Sequence, residues 1–442
     1  MMHNKIIEKL RSYKNIGILG FGKEGQSTYN FIRKYDKDIK LTILDQKEFS
    51  FDDDRTYYKK YLGESDLLEF DLIIKSPGIV IKDYSQETIN KMYSQMELLL
   101  EFNRSNVIGI TGTKGKSTTS CLIYNILKDQ LSNVFLVGNI GIPVLDEIDK
   151  FNDDAIIVAE MSSHQLETID YSPHIGIIVN MFVDHLDHAG SIEKYHQAKM
   201  NIIKYQNEDD YALYDMDNYY LGKQDFSVIK SHKLGVSLNK KASIYMDDNG
   251  DIYLDDKFLL NKSNIITKLK GEHNLKNIMF ALLVASLYKL DLNKTLESIK
   301  NFKPLEHRIE YVGKYHDIDF YDDAIATIPE ATINACKTVE NVGTLIFGGM
   351  DRGIDYQELI DYLNNSNISN FICMPTTAHK IAKLLDPKKV IIVNTLEEAV
   401  DKAFMVTKKN QACILSPAAA SYEYFKNFEE KGNKYKDLVR NH

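Results

Sequence analysis

A glycine-rich loop between a strand and a helix constrains this chain more than any other feature. A β-branched run at 106–110 leads into Thr-Gly-Thr-Lys-Gly-Lys-Ser-Thr at 111–118, and a helical pattern follows at 117–128. The loop ends in the Gly-Lys-Ser of a phosphate-binding loop, although the first glycine of GxxxxGK[ST] would fall at Ile110. Backbone N–H groups in such a loop form a nest for anions, which predicts an α/β domain that binds a nucleoside triphosphate.

Each position of this loop is a candidate ATP contact. The lysine before the serine reaches the β- and γ-phosphates, and the serine hydroxyl is a Mg²⁺ ligand. Lys116 is therefore also a candidate catalytic residue, and Ser117 a candidate metal ligand. The ATP-binding positions predicted here are Gly112, Thr113, Lys114, Gly115, Lys116, Ser117 and Thr118.

A second glycine-rich turn lies nearer the N-terminus. Gly-Phe-Gly-Lys-Glu-Gly at 20–25 follows an apolar run at 15–19, and Asp45 lies twenty residues after the last glycine. This spacing predicts a βαβ unit that holds a diphosphate on a helix N-terminus, with Asp45 at a sugar or base. The turn Ser76-Pro77-Gly78 ends another strand, where open α/β sheets place ligands. Glycines that merely permit a tight turn, with no ligand, are the alternative.

Acidic and imidazole side chains follow two further strands. Glu160 directly follows the strand at 155–159, and Asp184-His185 comes after the strand at 175–180. A lone histidine is more often a packing residue, but two such clusters beside a phosphate-binding loop predict Mg²⁺ ligands at Glu160 and His185.

Other polar residues remain ambiguous from the residues alone. Lys199 reads as an ordinary surface lysine, and Asn274 and Asn277 read as capping residues at the start of an apolar helix. Arg308 and Asp323 are equally consistent with a functional role and with an ordinary surface ion pair.

The strand and helix patterns repeat over three blocks. At about 150 residues per domain, 442 residues suggest about three domains. We predict an α/β protein with a Rossmann-like domain at 1–100, a phosphate-binding-loop domain at 101–304 and a second Rossmann-like domain at 305–442. The central block carries a small β insert, with a hairpin turn Asp-Asp-Asn-Gly at 247–250.

Composition limits the partners. Lys plus Arg is 54 against 63 Asp plus Glu, a net charge of −9, which argues against nucleic acid and requires local positive sites for anionic ligands. No apolar run approaches the length of about 18 residues needed to cross a bilayer, and no signal peptide is recognised, so we expect a cytoplasmic protein without membrane insertion. The four cysteines are too dispersed for a metal or disulfide framework and are predicted to be reduced core residues.

Taken together, these residues resemble the Mur ligase family, the ATP-dependent amide-bond ligases of cell-wall precursor synthesis. The resemblance spans nearly the whole chain and is strongest to the branch that adds glutamate to UDP-N-acetylmuramoyl-L-alanine. The matching motifs are 111–118, Gly-Asn-Ile-Gly at 138–141, Glu160 with Ser-Ser-x-Gln-Leu at 162–166, Asp184-His185, Tyr195 through Lys199, His273-Asn274, His307-Arg308, Gly348-Gly349 and the tail from Ser416 to 432.

The resemblance implies the chemistry. ATP would phosphorylate the substrate carboxylate, and the glutamate amine would displace phosphate from the acyl phosphate. Catalysis is implied for Lys116, Glu160, His185 and Lys199. Ser117 and Glu160 are implied ligands of one Mg²⁺, and His185 and Lys199 of a second, with Lys199 carbamylated so that it offers oxygen ligands.

The resemblance also implies the binding residues, and we expect a monomer. Asn274 and Asn277 would contact adenine, Arg308 and Asp323 would grip ATP, and Asn139 and His185 would face the muramoyl-alanine. UDP rather than NAD would be held by Gly20, Phe21, Gly22, Lys23, Asp45, Ser76 and Gly78. The amino acid would meet Thr327, Arg352, Ser421 and Phe428.

One departure from the family pattern concerns the amino-acid site. The family's Asp-Ser-Lys-Ala-Thr-Asn stretch is Asp-Ala-Ile-Ala-Thr-Ile at 323–328, so Ile325 replaces a lysine that would pair with a carboxylate. Such a contact is worth roughly 1.5–3 kcal/mol. Either Arg352 or a nearby lysine compensates and D-glutamate is the acceptor, which we favour, or the pocket serves another acceptor such as L-glutamate. A folylpolyglutamate synthase and a phosphate-binding-loop NTPase without ligase activity are the remaining alternatives.

Overall fold

Parallel β-sheets flanked by helices organise the chain. The computed structural model describes residues 2–79, 81, 84–140, 142–182, 191–269, 271–303, 306–351 and 355–442, except the side chains of Glu330 and Asn334. The chain divides into two units, 1–302 and 303–442. The predicted α/β class is confirmed, and the predicted boundary at 100 falls inside the first unit, where one sheet gives way to another.

The first sheet has the strand order β3-β2-β1-β4-β5 and is parallel throughout. Its two central strands, Ile-Gly-Ile-Leu and Leu-Ile-Ile-Lys, are fully buried, because helices cover both faces of such sheets and favour unbroken apolar runs. Its elements are α1 Met2–Arg11, β1 Ile16–Leu19, α2 Lys23–Tyr35, β2 Leu41–Asp45, β3 Thr56–Lys60, β4 Leu72–Lys75, α3 Gln86–Ile89, β5 Met92–Tyr93 and α4 Gln95–Asn103.

The second sheet, in the same unit, has the order β14-β13-β12-β11-β10-β9-β6-β8-β7. The predicted β insert does not stand apart, because β12 pairs with β11 and so extends this sheet. The predicted hairpin turn joins β12 to antiparallel β13. The elements are β6 Val107–Thr111, α5 Lys116–Lys128, β7 Val134–Gly138, α6 Val144–Glu147, β8 Ile156–Glu160, α7 Ser163–Leu166, β9 Ile175–Ile178, α8 Ile192–Lys204, β10 Tyr211–Asp215, β11 His232–Ser237, β12 Ile244–Met246, β13 Asp251–Leu254, β14 Lys257–Asn261, α9 Glu272–Leu287 and α10 Leu292–Asn301.

The second unit contains the third sheet, of order β15-β16-β20-β17-β18-β19. Only its β15–β16 hairpin is antiparallel among the described strands. Its elements are β15 Glu310–Tyr315, β16 Ile318–Asp322, α11 Pro329–Thr338, β17 Val342–Phe347, α12 Gln357–Asn365, β18 Asn370–Cys373, α13 Thr377–Ile381, β19 Val390–Ile392, α14 Leu396–Val406, β20 Ala412–Leu415 and α15 Phe428–Asn441.

The cysteines and the helices bear on two predictions made from composition. All four cysteines are free and buried, as predicted. Among the described residues, none of the helices combines the length and the apolar character that a bilayer crossing demands.

The turn from β1 into α2 depends on close backbone packing. Gly20 has φ +85°, and a Cβ on Gly25 would lie 2.1 Å from the Gly20 carbonyl oxygen. Glycine at position 25 therefore lets α2 approach the turn, as expected for the last glycine of this fingerprint. Asp45, at the end of β2, accepts a 2.7 Å hydrogen bond from the Phe21 N–H and thereby braces the turn.

A buried polar network fixes the start of the second unit to its sheet. His307 Nδ1 lies 2.6 Å from an Asp322 carboxylate oxygen, and Asp323 accepts from Ser416 Oγ at 2.7 Å and from the Ile309 N–H at 3.2 Å. Burial raises the pKa of Asp323 to about 7, although Ser416 and Ile309 oppose the shift. The interpretation of Asp323 as a surface residue is wrong, since its side chain lies in the core.

Gly25→Ala is expected to destabilise the first unit by about 1–3 kcal/mol, because the added methyl group meets a backbone carbonyl that cannot move aside. Urea unfolding followed by circular dichroism measures the effect. Gly22→Ala, in the same turn, is the matched control, since a Cβ there meets nothing within 4 Å. Equal stability of the two variants would contradict the packing role of Gly25.

Asp323 is expected to make stability depend on pH. Its pKa is about 7 when folded and about 4 when unfolded, so the folded chain keeps a proton that the unfolded chain has lost. This contribution is complete below about pH 4 and is lost as pH rises to about 7. Urea unfolding across this window should show a smaller decline for Asp323→Asn than for the wild type. The exposed Asp437→Asn should follow the wild type, and parallel curves for Asp323→Asn would refute the shift.

Candidate active site

The loop at 111–118 follows β6 and enters α5, as the sequence predicts. Gly112 and Gly115 have φ of +158° and +81°, and a Cβ on Gly112 would lie 3.2 Å from Val179. Asn180, after β9, holds the loop from the side, because its Oδ1 accepts from the N–H groups of Thr113 and Lys114 at 3.1 and 2.9 Å. Its Nδ2 donates to the Lys114 carbonyl at 2.8 Å. Sequence reasoning did not assign this role to Asn180.

Two lysines converge on one carbonyl oxygen of this loop. Lys116 Nζ and Lys199 Nζ each lie 2.9 Å from the Gly112 oxygen, so the two nitrogens are less than about 6 Å apart and two ammonium groups would repel. Lys199 is 1% exposed and lies over the ring of Tyr195, so its interpretation as a surface lysine is wrong. The arrangement favours an anion between the lysines or a loss of charge on one of them.

Glu160 lies directly beside the loop. It ends β8, pairs in register with Ile110 of β6, and is 1% exposed. Asn139 Nδ2 donates to its Oε1 at 2.9 Å, whereas its Oε2 has no hydrogen-bond partner among the described residues. A buried carboxylate oxygen without a partner is costly, so it fits a position that a cation completes.

The two asparagines of α9 lie in different environments. Asn277 is buried against the loop, with Oδ1 3.0 Å from the position of a Cβ on Gly115. Asn274 accepts from Asn277 Nδ2 at 3.1 Å. Neither is the helix cap, which is Gly271, so the capping interpretation is wrong.

Two of the predicted UDP residues line a separate cavity of about 430 Å³. Asp45 and Gly78 line it, while Gly20 packs against Ser76, whose hydroxyl donates to the Gly20 carbonyl at 2.8 Å. Phe21 is buried, whereas Gly22 and Lys23 are exposed at the start of α2. Lining residues that sequence reasoning missed are Gln46, Lys47, Tyr61 and Ile79. The only sequence signal for Gln46 and Lys47 as lining residues is that they directly follow Asp45.

The second unit carries the remaining predicted residues. Arg308 is exposed next to the buried His307, and Ile325 donates its N–H to the His307 carbonyl at 3.2 Å. Thr327 and Phe428 are half-buried. Ser421 is buried, and its Oγ has no partner among the described residues. His185 and Arg352 lie outside the described residues.

A loop of the second unit is held by a buried amine that the sequence did not reveal. Lys431, 1% exposed, donates to the Gly348 carbonyl at 2.8 Å, and burial lowers its pKa to about 7. Gly349 packs on Ala420, next to Ser421.

His307, Glu310 and Asp322 have donor atoms within 4.8 Å of one another. They already pair with each other and with Lys436, so we assign them a structural role.

Comparisons with known proteins agree with this geometry. Residues 110–285 match the Mur ligase middle domain, and residues 307–419 match the Mur ligase, glutamate ligase domain. The UDP-N-acetylmuramoylalanine–D-glutamate ligase of Caldicellulosiruptor bescii is 31% identical over 96% of this chain and 97% of its own length. The enzyme of that name from Clostridium botulinum strain Loch Maree is 32% identical over 97% and 96%.

Solved structures share the fold. MurF ligase from Thermotoga maritima in complex with ADP aligns with a TM-score of 0.56 and 18% identity, over 96% of this chain and 95% of that one. UDP-N-acetylmuramate-alanine ligase MurC from the same organism aligns with a TM-score of 0.54 and 18% identity, over 97% and 99%. With relatives above 30% identity along almost its whole length, the chain belongs to the Mur ligase family of ATP-dependent ligases.

Proposed function

We propose that this chain joins D-glutamate to UDP-N-acetylmuramoyl-L-alanine at the expense of ATP, in the synthesis of peptidoglycan precursors. The observation that carries the proposal is the convergence of Lys116 and Lys199 on the phosphate-binding loop, beside the buried Glu160. The two relatives named for D-glutamate ligation match almost end to end.

In the proposed reaction the substrate carboxylate attacks the γ-phosphorus of ATP, which forms an acyl phosphate and releases ADP. The glutamate amine then attacks the acyl carbon, and the C–O bond to phosphate breaks after the amine has lost a proton. Negative charge gathers on the transferred phosphoryl group and then on the acyl oxygen. The Lys116 ammonium and the N–H groups of residues 115–117 would stabilise it, since those of Thr113 and Lys114 already donate to Asn180. Lys116 would exchange its loop carbonyls for phosphate oxygens.

The donor set fits Mg²⁺, which prefers oxygen ligands. Ser117 and Glu160 would hold one ion, and the unpartnered Glu160 Oε2 supports that assignment. His185 and a carbamylated Lys199 would hold a second. Bound Mg²⁺ would neutralise phosphate charge, and carbamylation would also remove the repulsion between Lys199 and Lys116.

The substrates would be divided among separate groups of residues. Asn274 and Asn277 would contact adenine, and Asn139 with His185 would face the muramoyl-alanine. Arg308 would contact ATP, as would Asp323 after exchanging its bond to Ser416 or Ile309. The UDP end would occupy the cavity beside Asp45, bounded by the glycine-rich turn with Gly20, Phe21, Gly22 and Lys23 and by the loop with Ser76 and Gly78.

The acceptor would meet Thr327, Arg352, Ser421 and Phe428. The unpartnered Ser421 Oγ supports a polar ligand there. Ile325 offers no charge, so Arg352 is the basic residue that we assign to an acceptor carboxylate. The relatives favour D-glutamate over L-glutamate.

The proposed reaction predicts phosphate release from ATP only when UDP-N-acetylmuramoyl-L-alanine and an amino acid are both present. A coupled phosphate assay with D-glutamate and L-glutamate in parallel measures it, and D-glutamate is expected to give the faster rate. Lys116→Ala should abolish release, whereas Lys128→Ala, exposed on the same helix, should not. Equal ATPase without the substrates would refute ligation, and preference for L-glutamate would refute only the acceptor.

Lys199→Ala is expected to lower kcat by about 10²-fold or more, since it removes a charge-stabilising group. Formate or acetate should restore part of the rate by replacing the carbamate, and ¹³C-bicarbonate should give a carbamate NMR signal in the wild type only. Lys194→Ala, exposed on the same helix, is the control. An active Lys199→Ala enzyme would remove this lysine from the site.

A further inference from the structure

Lys75 is a buried lysine that the proposed reaction does not use. It ends β4 and is 3% exposed. Its Nζ donates to the Ile79 carbonyl at 3.1 Å and makes a longer contact with the Ser76 carbonyl at 3.4 Å. The amine therefore bonds to the loop 76–79 that directly follows its own strand.

This loop contributes to the lining of the cavity beside Asp45. Gly78 and Ile79 line it together with Asp45 and Lys47. The Ser76 hydroxyl donates to the Gly20 carbonyl at 2.8 Å, and a Cβ on Gly20 would lie 3.0 Å from the Ile79 side chain. The loop 76–79 is thus hydrogen-bonded to the glycine-rich turn, and Ile79 lies close to it.

The charge of Lys75 is only partly compensated. Glu24, in the first turn of α2, and Glu167 oppose the effect of burial, which lowers the pKa of Lys75 to about 8. Burial also raises the pKa of Glu24 to about 7, and Glu24 accepts from Gln165 Nε2 at 3.2 Å. Within the described part of the chain, neither carboxylate forms a contact ion pair with the ammonium. A buried ammonium that no carboxylate contacts is stabilised by a nearby anion.

We propose that Lys75 is a positioning residue for the UDP end of the substrate. Through the Ile79 carbonyl it fixes the cavity wall, and its charge favours a diphosphate at the N-terminus of α2. This inference rests on the proposed function, which places UDP in the cavity.

Titration calorimetry of the full-length chain with UDP tests the inference without requiring catalysis. Lys75→Met is expected to weaken UDP binding about tenfold or more, since hydrogen bonds of a charged group are lost. The KM for UDP-N-acetylmuramoyl-L-alanine should rise by a similar factor, with kcat and the KM for ATP within about twofold. Lys9→Met is the matched control, because Lys9 is a partly buried lysine of the same unit that pairs with Glu101 and does not line the cavity.

Hydrogen exchange adds a local measurement. The Ile79 N–H bonds to the Ser76 carbonyl at 3.2 Å, and its exchange should be faster in Lys75→Met but not in Lys9→Met. If Lys75→Met does not fold, Lys75→Gln tests the same loss of charge and is expected to weaken UDP binding about tenfold.

The possible failures are distinguishable. A wild-type chain that binds no UDP contradicts the proposed function together with this inference. Wild-type binding that Lys75→Met or Lys75→Gln leaves unchanged, or unchanged exchange at Ile79, overturns the inference alone.

Discussion

The central site depends on a buried carboxylate that has a hydrogen-bond partner at only one of its two oxygens among the described residues. Glu160 is held at one oxygen by Asn139, and its other oxygen has no partner in the described part of the chain. Burying such a charge is costly unless a cation completes it. The sheet order supplies the setting, because β8 lies between β7 and β6 and brings Glu160 beside both Asn139 and the phosphate-binding loop. The residues of the proposed metal and phosphate site therefore lie together where β6, β7 and β8 end.

Much of the fold follows from short-range patterns. The runs that became β1, β6, β8 and β9 were predicted within two residues at each end, since apolar strands buried on both faces are recognisable alone. The sequence did not show that the β insert extends the central sheet, because that depends on the pairing of β11 with β12, which no local pattern specifies. Strand β7 also escaped prediction, although it ends beside Asn139.

The site was predictable where residue type coincides with a strand end, as at Glu160, or with a glycine-rich loop, as at Lys116. It was not predictable where a contact joins distant segments. Lys199 reads as a surface lysine because its partner, the Gly112 carbonyl, is 87 residues away. Asn180 and Lys75 likewise act on main-chain atoms, which have no signature in the sequence. The burial of Asp323 was not predictable for the same reason, since its partner Ser416 follows the neighbouring strand β20 and is 93 residues away in the sequence.

Four lysines of the chain donate hydrogen bonds to main-chain carbonyls. This arrangement bears on how an acidic chain can bind anionic substrates. Lys116 and Lys199 donate to the Gly112 carbonyl, Lys75 to Ile79, and Lys431 to Gly348. A carbonyl oxygen orients an ammonium group without cancelling its charge, whereas a carboxylate in contact would neutralise it. Lys116 and Lys75 are thereby oriented by main-chain oxygens, whereas burial lowers the pKa of Lys431 to about 7 and the proposed carbamylation would remove the cationic charge of Lys199. A net charge of −9 is then no obstacle to the proposed reaction, because the binding energy would come from local, oriented cations rather than from the average charge of the surface.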